Sequence, residues 1–158
     1  MILRDVLKEH TKACEEAGVY SGFARFLMLE MLRDRDLDMF LLMDDEIDPE
    51  LLKAYEVNMK RICNHEPMGY VLGYEWFYGY KIGVNESVLI PRPETEELVA
   101  NILSYVDDYY TSPMIADVAC GSGAIGIALS KELGLPVIAT DISEGACAVT
   151  EANAKALD

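Results

Sequence analysis

The residues best equipped for chemistry are Asp117-Val-Ala-Cys-Gly121-Ser122-Gly123-Ala-Ile-Gly126, followed by Asp141. Glycines 121, 123 and 126 satisfy GxGxxG between an apolar strand-like run and an amphipathic segment, the context that motif requires. Gly121 and Gly123 let the backbone turn tightly and approach a ligand with no Cβ in the way. Asp141 closes the next apolar run, where a carboxylate can accept hydrogen bonds from both ribose hydroxyls. The glycine pattern alone is a weak signal. With strand, helix and acidic end together it marks a candidate nucleoside site rather than a plain strand-to-helix turn.

The same spacing serves NAD, and two features tilt the reading elsewhere. Asp117 places a carboxylate near the end of the first strand, where dinucleotide sites keep an apolar residue. It would repel a pyrophosphate and attract the cationic sulfonium and amino group of S-adenosylmethionine. A long block also precedes this strand, which a dinucleotide domain starting at its own first strand does not need. Read for structure alone, Asp117 is a solvated strand-end residue.

The elements that must position this loop follow from the pattern. From residue 114 the texture is α/β: MIADVAC reads as a short buried strand, GSGAIGIALSKELG as turn and helix, PVIATD as a second strand, and SEGACAVTEANAKA as a helix capped by Ser143. Residues 1–66 read as helices. Val6, Leu7, Ala13, Cys14 and Ala17 make a stripe stopped by Gly18, and a second helix opens near Ser21. A third starts at Asp48-Pro49-Glu50, with Asp48 as N-cap and Pro49 in the first turn, and carries Leu51, Leu52, Tyr55, Met59 and Ile62. Composition shifts at Pro67. Residues 69–90 are aromatic and β-branched with regular glycines, predicting one or two β-hairpins and a turn at Asn85-Glu86-Ser87. Helical spacing resumes from Glu94 to Val106.

Composition sets bounds on function. The hydrophobic share is 51%, enough for a core, and no apolar run approaches the roughly 20 residues of a membrane span. Charges at Arg4, Asp5, Lys8 and Glu9 exclude a signal-peptide core, so a cytoplasmic protein is expected. Cys14, Cys63, Cys120 and Cys147 form no CxxC pair and His10 and His65 add no cluster, so reduced thiols and no metal are expected. Net charge is −15. Residues 68–158 hold only Lys81, Arg92, Lys131 and Lys155 as cations, which leaves no basic footprint for phosphates and argues against direct nucleic-acid binding. A macromolecular partner should be a protein.

Residues 67–99, PMGYVLGYEWFYGYKIGVNESVLIPRPETEELV, resemble the signature preceding the core of the HemK/PrmC family of protein-glutamine methyltransferases. LIPRPETEELV matches nearly residue for residue, and DVACGSGAIGIAL followed by ATDIS fits the family's cofactor motif. The helical segment resembles its small N-terminal domain. The fold implied is α/β: a helical substrate-recognition domain (1–66), a β-hairpin linker (67–93), and the first part of a Rossmann-like S-adenosylmethionine-dependent core (94–158). The resemblance implies methylation of a glutamine side-chain amide in peptide chain release factors. It implies cofactor contacts from Asp117, Ala119, Cys120, Gly121, Ser122, Gly123, Asp141 and Ile142, with Asp141 on the ribose. Phe77, Arg92, Pro93, Glu94 and Thr95 are implied to line the pocket. Phe77 reads equally as hairpin core, Arg92 as a surface ion pair, and Cys120 as packing.

The family's catalytic Asn-Pro-Pro-Tyr is absent, since the sequence has no Pro-Pro pair. A truncated, inactive core is therefore expected. It should carry bare sheet edges prone to self-association, with residues 114–158 less ordered than 1–66 and the hairpin. Two other readings compete: a nucleic-acid amino-group methyltransferase, and a non-catalytic protein-binding module.

Overall fold

Leu3, Val6, Leu7 and Cys14 fall on one face of α1 (Leu3–Ala17) and are buried, and Gly18 ends the helix in the left-handed conformation with φ 71°. Ala24, Leu27, Met28 and Leu32 are the buried face of α2 (Phe23–Arg33). In α3 (Pro49–Cys63) Asp48 accepts a hydrogen bond from the Leu51 N–H at 2.9 Å, with Pro49 in the first turn, as the sequence predicts. Leu51, Tyr55, Met59 and Ile62 complete one apolar core with the faces of α1 and α2. Tyr55 brings a hydroxyl into that core and satisfies it by donating to the Ala24 carbonyl at 2.9 Å.

This computed structural model describes residues 1–158 and divides into two compact units, Met1–Leu72 and Gly73–Asp158. Residues 68–72, expected as strand, are instead a short helix, α4 (Met68–Leu72). Its entry is set by the Pro67 carbonyl, which accepts from the Tyr70 and Val71 N–H groups at 3.0 and 3.1 Å. At its other end the Tyr70 and Val71 carbonyls accept from the Arg61 guanidinium at 3.2 and 3.3 Å, and Glu66 holds Arg61 from the opposite side at 2.8 and 2.5 Å. These partners outweigh the β preference of Tyr70 and Val71.

The second unit begins with one hairpin. β1 (Tyr74–Phe77) and β2 (Tyr80–Gly83) pair antiparallel, Tyr74 opposite Gly83 and Phe77 opposite Tyr80. Tyr78 and Gly79 make the turn with φ 51° and 81°, positive at both central residues as the twist of a two-residue hairpin requires. The Asn85 side chain accepts from the Ser87 N–H at 2.9 Å, giving the turn read from the sequence. α5 (Glu94–Tyr109) follows, then β3 (Ile115–Val118), α6 (Ala124–Leu133), β4 (Val137–Thr140) and α7 (Glu144–Leu157). β3 and β4 pair parallel, Ile115 opposite Val137 and Val118 opposite Thr140, so β3–α6–β4 is one βαβ unit. α6 packs on both strands and on α5, and α7 packs on β2.

The strand over 114–120 was expected to be buried. It is half open instead: Val118 of β3 and Ile138 of β4 are exposed, because α6 covers one face of the two-stranded sheet and leaves the other uncovered.

Candidate functional site

The loop between β3 and α6 is held in shape by two aspartates, one at each end of the βαβ unit. Gly123 caps α6 and has no side chain to offer its free N–H groups. Asp117 serves from the neighbouring strand: its Oδ2 accepts from the Gly126 N–H at 2.9 Å. Gly126 is small for the same reason, since a Cβ there would stand 2.9 Å from that oxygen. Burial pushes the Asp117 carboxyl above its usual range. The Gly126 hydrogen bond opposes this, and the negative charge of Asp141 adds to it.

Asp141, just past β4, accepts from the Gly121 N–H with Oδ2 and from the Ser143 N–H with Oδ1, both at 2.9 Å. Hydrogen bonds from Ser143 first and Gly121 second hold it below the usual carboxylate range, so it is anionic at neutral pH. Asp141 thereby ties the second strand to the glycine loop while keeping lone pairs for further donors. Within the loop the Cys120 N–H donates to the Thr140 carbonyl at 3.0 Å and the Gly123 N–H to the Cys120 carbonyl at 2.8 Å. Ala119, Gly121 and Gly123 all have positive φ, at 63°, 56° and 77°, the first without glycine's freedom.

Above the loop lies a cavity of about 170 Å³ lined by Phe77, Arg92, Thr95, Ala119, Cys120, Gly121 and Ser122, with Leu89, Ile90, Pro91, Ala124 and Ile125. The structure thus brings the hairpin, the Pro-Arg-Pro turn and the glycine loop to one place. Phe77 is both cavity wall and hairpin core, being 1% exposed. Pro93, Glu94, Asp117, Gly123, Asp141 and Ile142 do not line this cavity. Asp117 is turned to α6, Asp141 braces the loop, and Ile142 is fully exposed. Small-molecule sites typically run from roughly 300 to 1,000 Å³, so the cavity admits one end of a nucleoside cofactor and not the whole of it.

The fit to such a cofactor rests on Gly121 and Asp141. A Cβ on Gly121 would meet nothing within 4 Å, so the loop backbone faces open space there. An anionic carboxylate lies against the same residue.

Three residues that brace this region escape sequence reasoning. Glu96, not Glu94, reaches the hairpin: its Oε1 accepts from the Tyr78 N–H at 2.9 Å. Thr150 and Asn153 of α7 are buried polar groups bonded to the glycine loop. Gly83 inside a strand was the available signal for Asn153, because such a glycine marks a close approach of other atoms.

The four cysteines are free thiols. The Cys14 thiol is pushed up to about 11, by burial first and then by Cys63, which keeps it protonated and unreactive. No three His, Cys, Asp or Glu side chains converge as metal ligands, and no helix is long and apolar enough to cross a membrane.

Residues 5–73 match the family model described as the PrmC N-terminal domain. The chain is 34% identical to the release factor glutamine methyltransferase of Bacillus cereus over 99% of its own length and 56% of that protein's. Against the Staphylococcus aureus enzyme of the same name it is 33% identical over 96% of this chain and 54% of the relative. Against that of Enterococcus faecalis the figures are 38%, 90% and 51%. The chain therefore spans about half the length of the curated relatives it matches. With a PrmC N-terminal domain match and this similarity along nearly its whole length, the chain belongs to the HemK/PrmC family of release factor glutamine methyltransferases.

Proposed function

We propose that this chain holds S-adenosylmethionine on the loop between β3 and α6. It does so as part of an enzyme that methylates the side-chain amide of a glutamine in peptide chain release factors. The observation that carries the reading is the anionic Asp141 bonded to Gly121 at the open edge of a cavity whose other wall is Phe77. In this reading β3–α6–β4 is the start of a Rossmann-like sheet. Asp141 accepts from the ribose hydroxyls with its remaining lone pairs, and Ala119, Cys120, Ser122, Gly123 and Ile142 surround the nucleoside. The bound cofactor supplies an electrophilic methyl group. Asp117 contributes negative charge near a cationic ligand, at a distance softened by its bond to Gly126. Phe77, Arg92 and Thr95 shape the acceptor side of the cavity.

An amide nitrogen is a poor nucleophile because its lone pair is delocalised. Acceptors must hold its N–H groups and aim the nitrogen, which is the work assigned to an Asn-Pro-Pro-Tyr motif. This sequence has no such motif. The steps proposed for this chain are the binding of cofactor and of release factor. Met1–Leu72, with its own core and its match to the PrmC N-terminal domain, favours a protein-docking role for the helical unit.

The test is a release factor incubated with this chain and methyl-labelled S-adenosylmethionine, read by mass spectrometry, with DNA and RNA in parallel. Release-factor binding without label supports the division of labour proposed here. Label on nucleic acid would overturn the substrate assignment. Retention of a release factor by a protein that binds no cofactor would favour a docking module.

A further inference from the structure

We infer that Thr150 and Asn153 of α7 are positioning residues that set the shape of the glycine loop and lock it to the hairpin. Cofactor binding and hairpin order are thereby coupled through one helix. The inference rests on the reading of that loop as the cofactor site.

Thr150 and Asn153 lie three residues apart, on one face of α7, and are 9% and 5% exposed. The Thr150 hydroxyl donates to the Gly121 carbonyl at 2.9 Å. The Asn153 amide makes three bonds. Its nitrogen donates to the Ser122 carbonyl at 2.8 Å and to the Gly83 carbonyl at 2.9 Å, and its oxygen accepts from the Gly83 N–H at 2.8 Å. Toward Gly83 the side chain thus behaves as a strand edge, pairing with both backbone groups of one residue.

Two glycines are shaped to receive these side chains. A Cβ on Gly83 would stand 2.8 Å from the Asn153 oxygen, and a Cβ on Gly123 would stand 2.7 Å from the Thr150 methyl. The contact is therefore matched from both sides.

The consequence follows from peptide geometry. Because a trans peptide is planar, fixing the Gly121 carbonyl toward α7 turns the Ser122 N–H of the same plane away from α7. The helix therefore decides which way a loop donor points before any ligand arrives, which lowers the ordering cost of binding. Asn153 grips Ser122 and Gly83 at once, so a ligand that immobilises the loop also immobilises the strand that follows Phe77.

The test measures S-adenosylmethionine affinity by calorimetry, ligand-free thermal midpoint, and amide exchange with and without ligand, on the whole chain. Thr150→Val keeps the methyl against Gly123 and loses the donor, and Thr150→Ser restores the donor. The first should weaken binding about tenfold, the second about twofold or less, at temperatures where both are folded. Ligand should slow exchange across residues 74–83 in the unmodified protein and not in Asn153→Asp. Gly83→Ala opens the same lock from the strand side and should give the same loss. Unchanged affinity in folded Thr150→Val, or hairpin protection that persists in both Asn153→Asp and Gly83→Ala, would overturn the inference.

Should the unmodified chain bind no S-adenosylmethionine, the cofactor reading fails and the lock is judged without ligand. Exchange must then rise at 121–123 in Thr150→Val and at 83 in Asn153→Asp, with residues 1–72 unchanged. A uniform rise through 73–158 would overturn it.

Discussion

Replacing Ala119 with glycine should stabilise the second unit. Ala119 holds φ 63° with a Cβ, in the left-handed region that costs an L-residue about 1–2 kcal/mol. Glycine removes that cost and loses more chain entropy on folding, about 0.5–1 kcal/mol. Ala119 is exposed, so the lost methyl carries little packing. The balance is a gain of about 0.5–1 kcal/mol, which for a unit of roughly this size raises its midpoint by about 2–8 °C. Thermal unfolding followed by circular dichroism measures it. Ala119→Val, β-branched at the same angle, should move the midpoint down. A lower midpoint for Ala119→Gly than for the unmodified chain would refute the strain argument and the loop conformation behind it.

The two aspartates should give opposite pH signatures. Asp117, raised in the folded state, penalises folding as pH climbs from the ordinary carboxylate value through its own higher one. Asp117→Asn should therefore gain stability relative to the unmodified chain across that rise and converge with it in acid. Asp141, lowered in the folded state, contributes stability present above the ordinary value and lost as pH falls through its depressed one. Asp141→Asn should flatten the acid limb of a denaturation series. Tyr55→Phe removes a buried hydroxyl that donates to Ala24 and should cost about 1 kcal/mol by urea titration, with no effect on cofactor affinity. Hydrogen exchange should be faster across 114–158 than across the α1–α3 core, because the strand face carrying Val118 and Ile138 is uncovered. Strong protection throughout 114–158 in a monomer would contradict this.

What the sequence made legible is what neighbouring residues decide. Asp48 and Pro49 start α3 through groups within three residues, and Gly18 ends α1 by its own φ. The glycine loop is legible because GxGxxG with a following Asp is a local pattern, and the structure joins its ends through Asp141 and Gly121. Residues 68–72 misled because their helix is fixed by Arg61, whose interest in those carbonyls has no local sign. Asn153 stayed hidden for the same reason at longer range, since its partner Gly83 is 70 residues away. Asp117 carries the right residue type, and its nearest demand is the start of α6.

The most direct test of the cofactor assignment is calorimetric titration of S-adenosylmethionine, and separately NAD, into this chain, with Asp141→Ala as control. S-adenosylmethionine alone should bind, and its binding should be lost in the variant. Binding of NAD in its place, or S-adenosylmethionine affinity unchanged in Asp141→Ala, would contradict it.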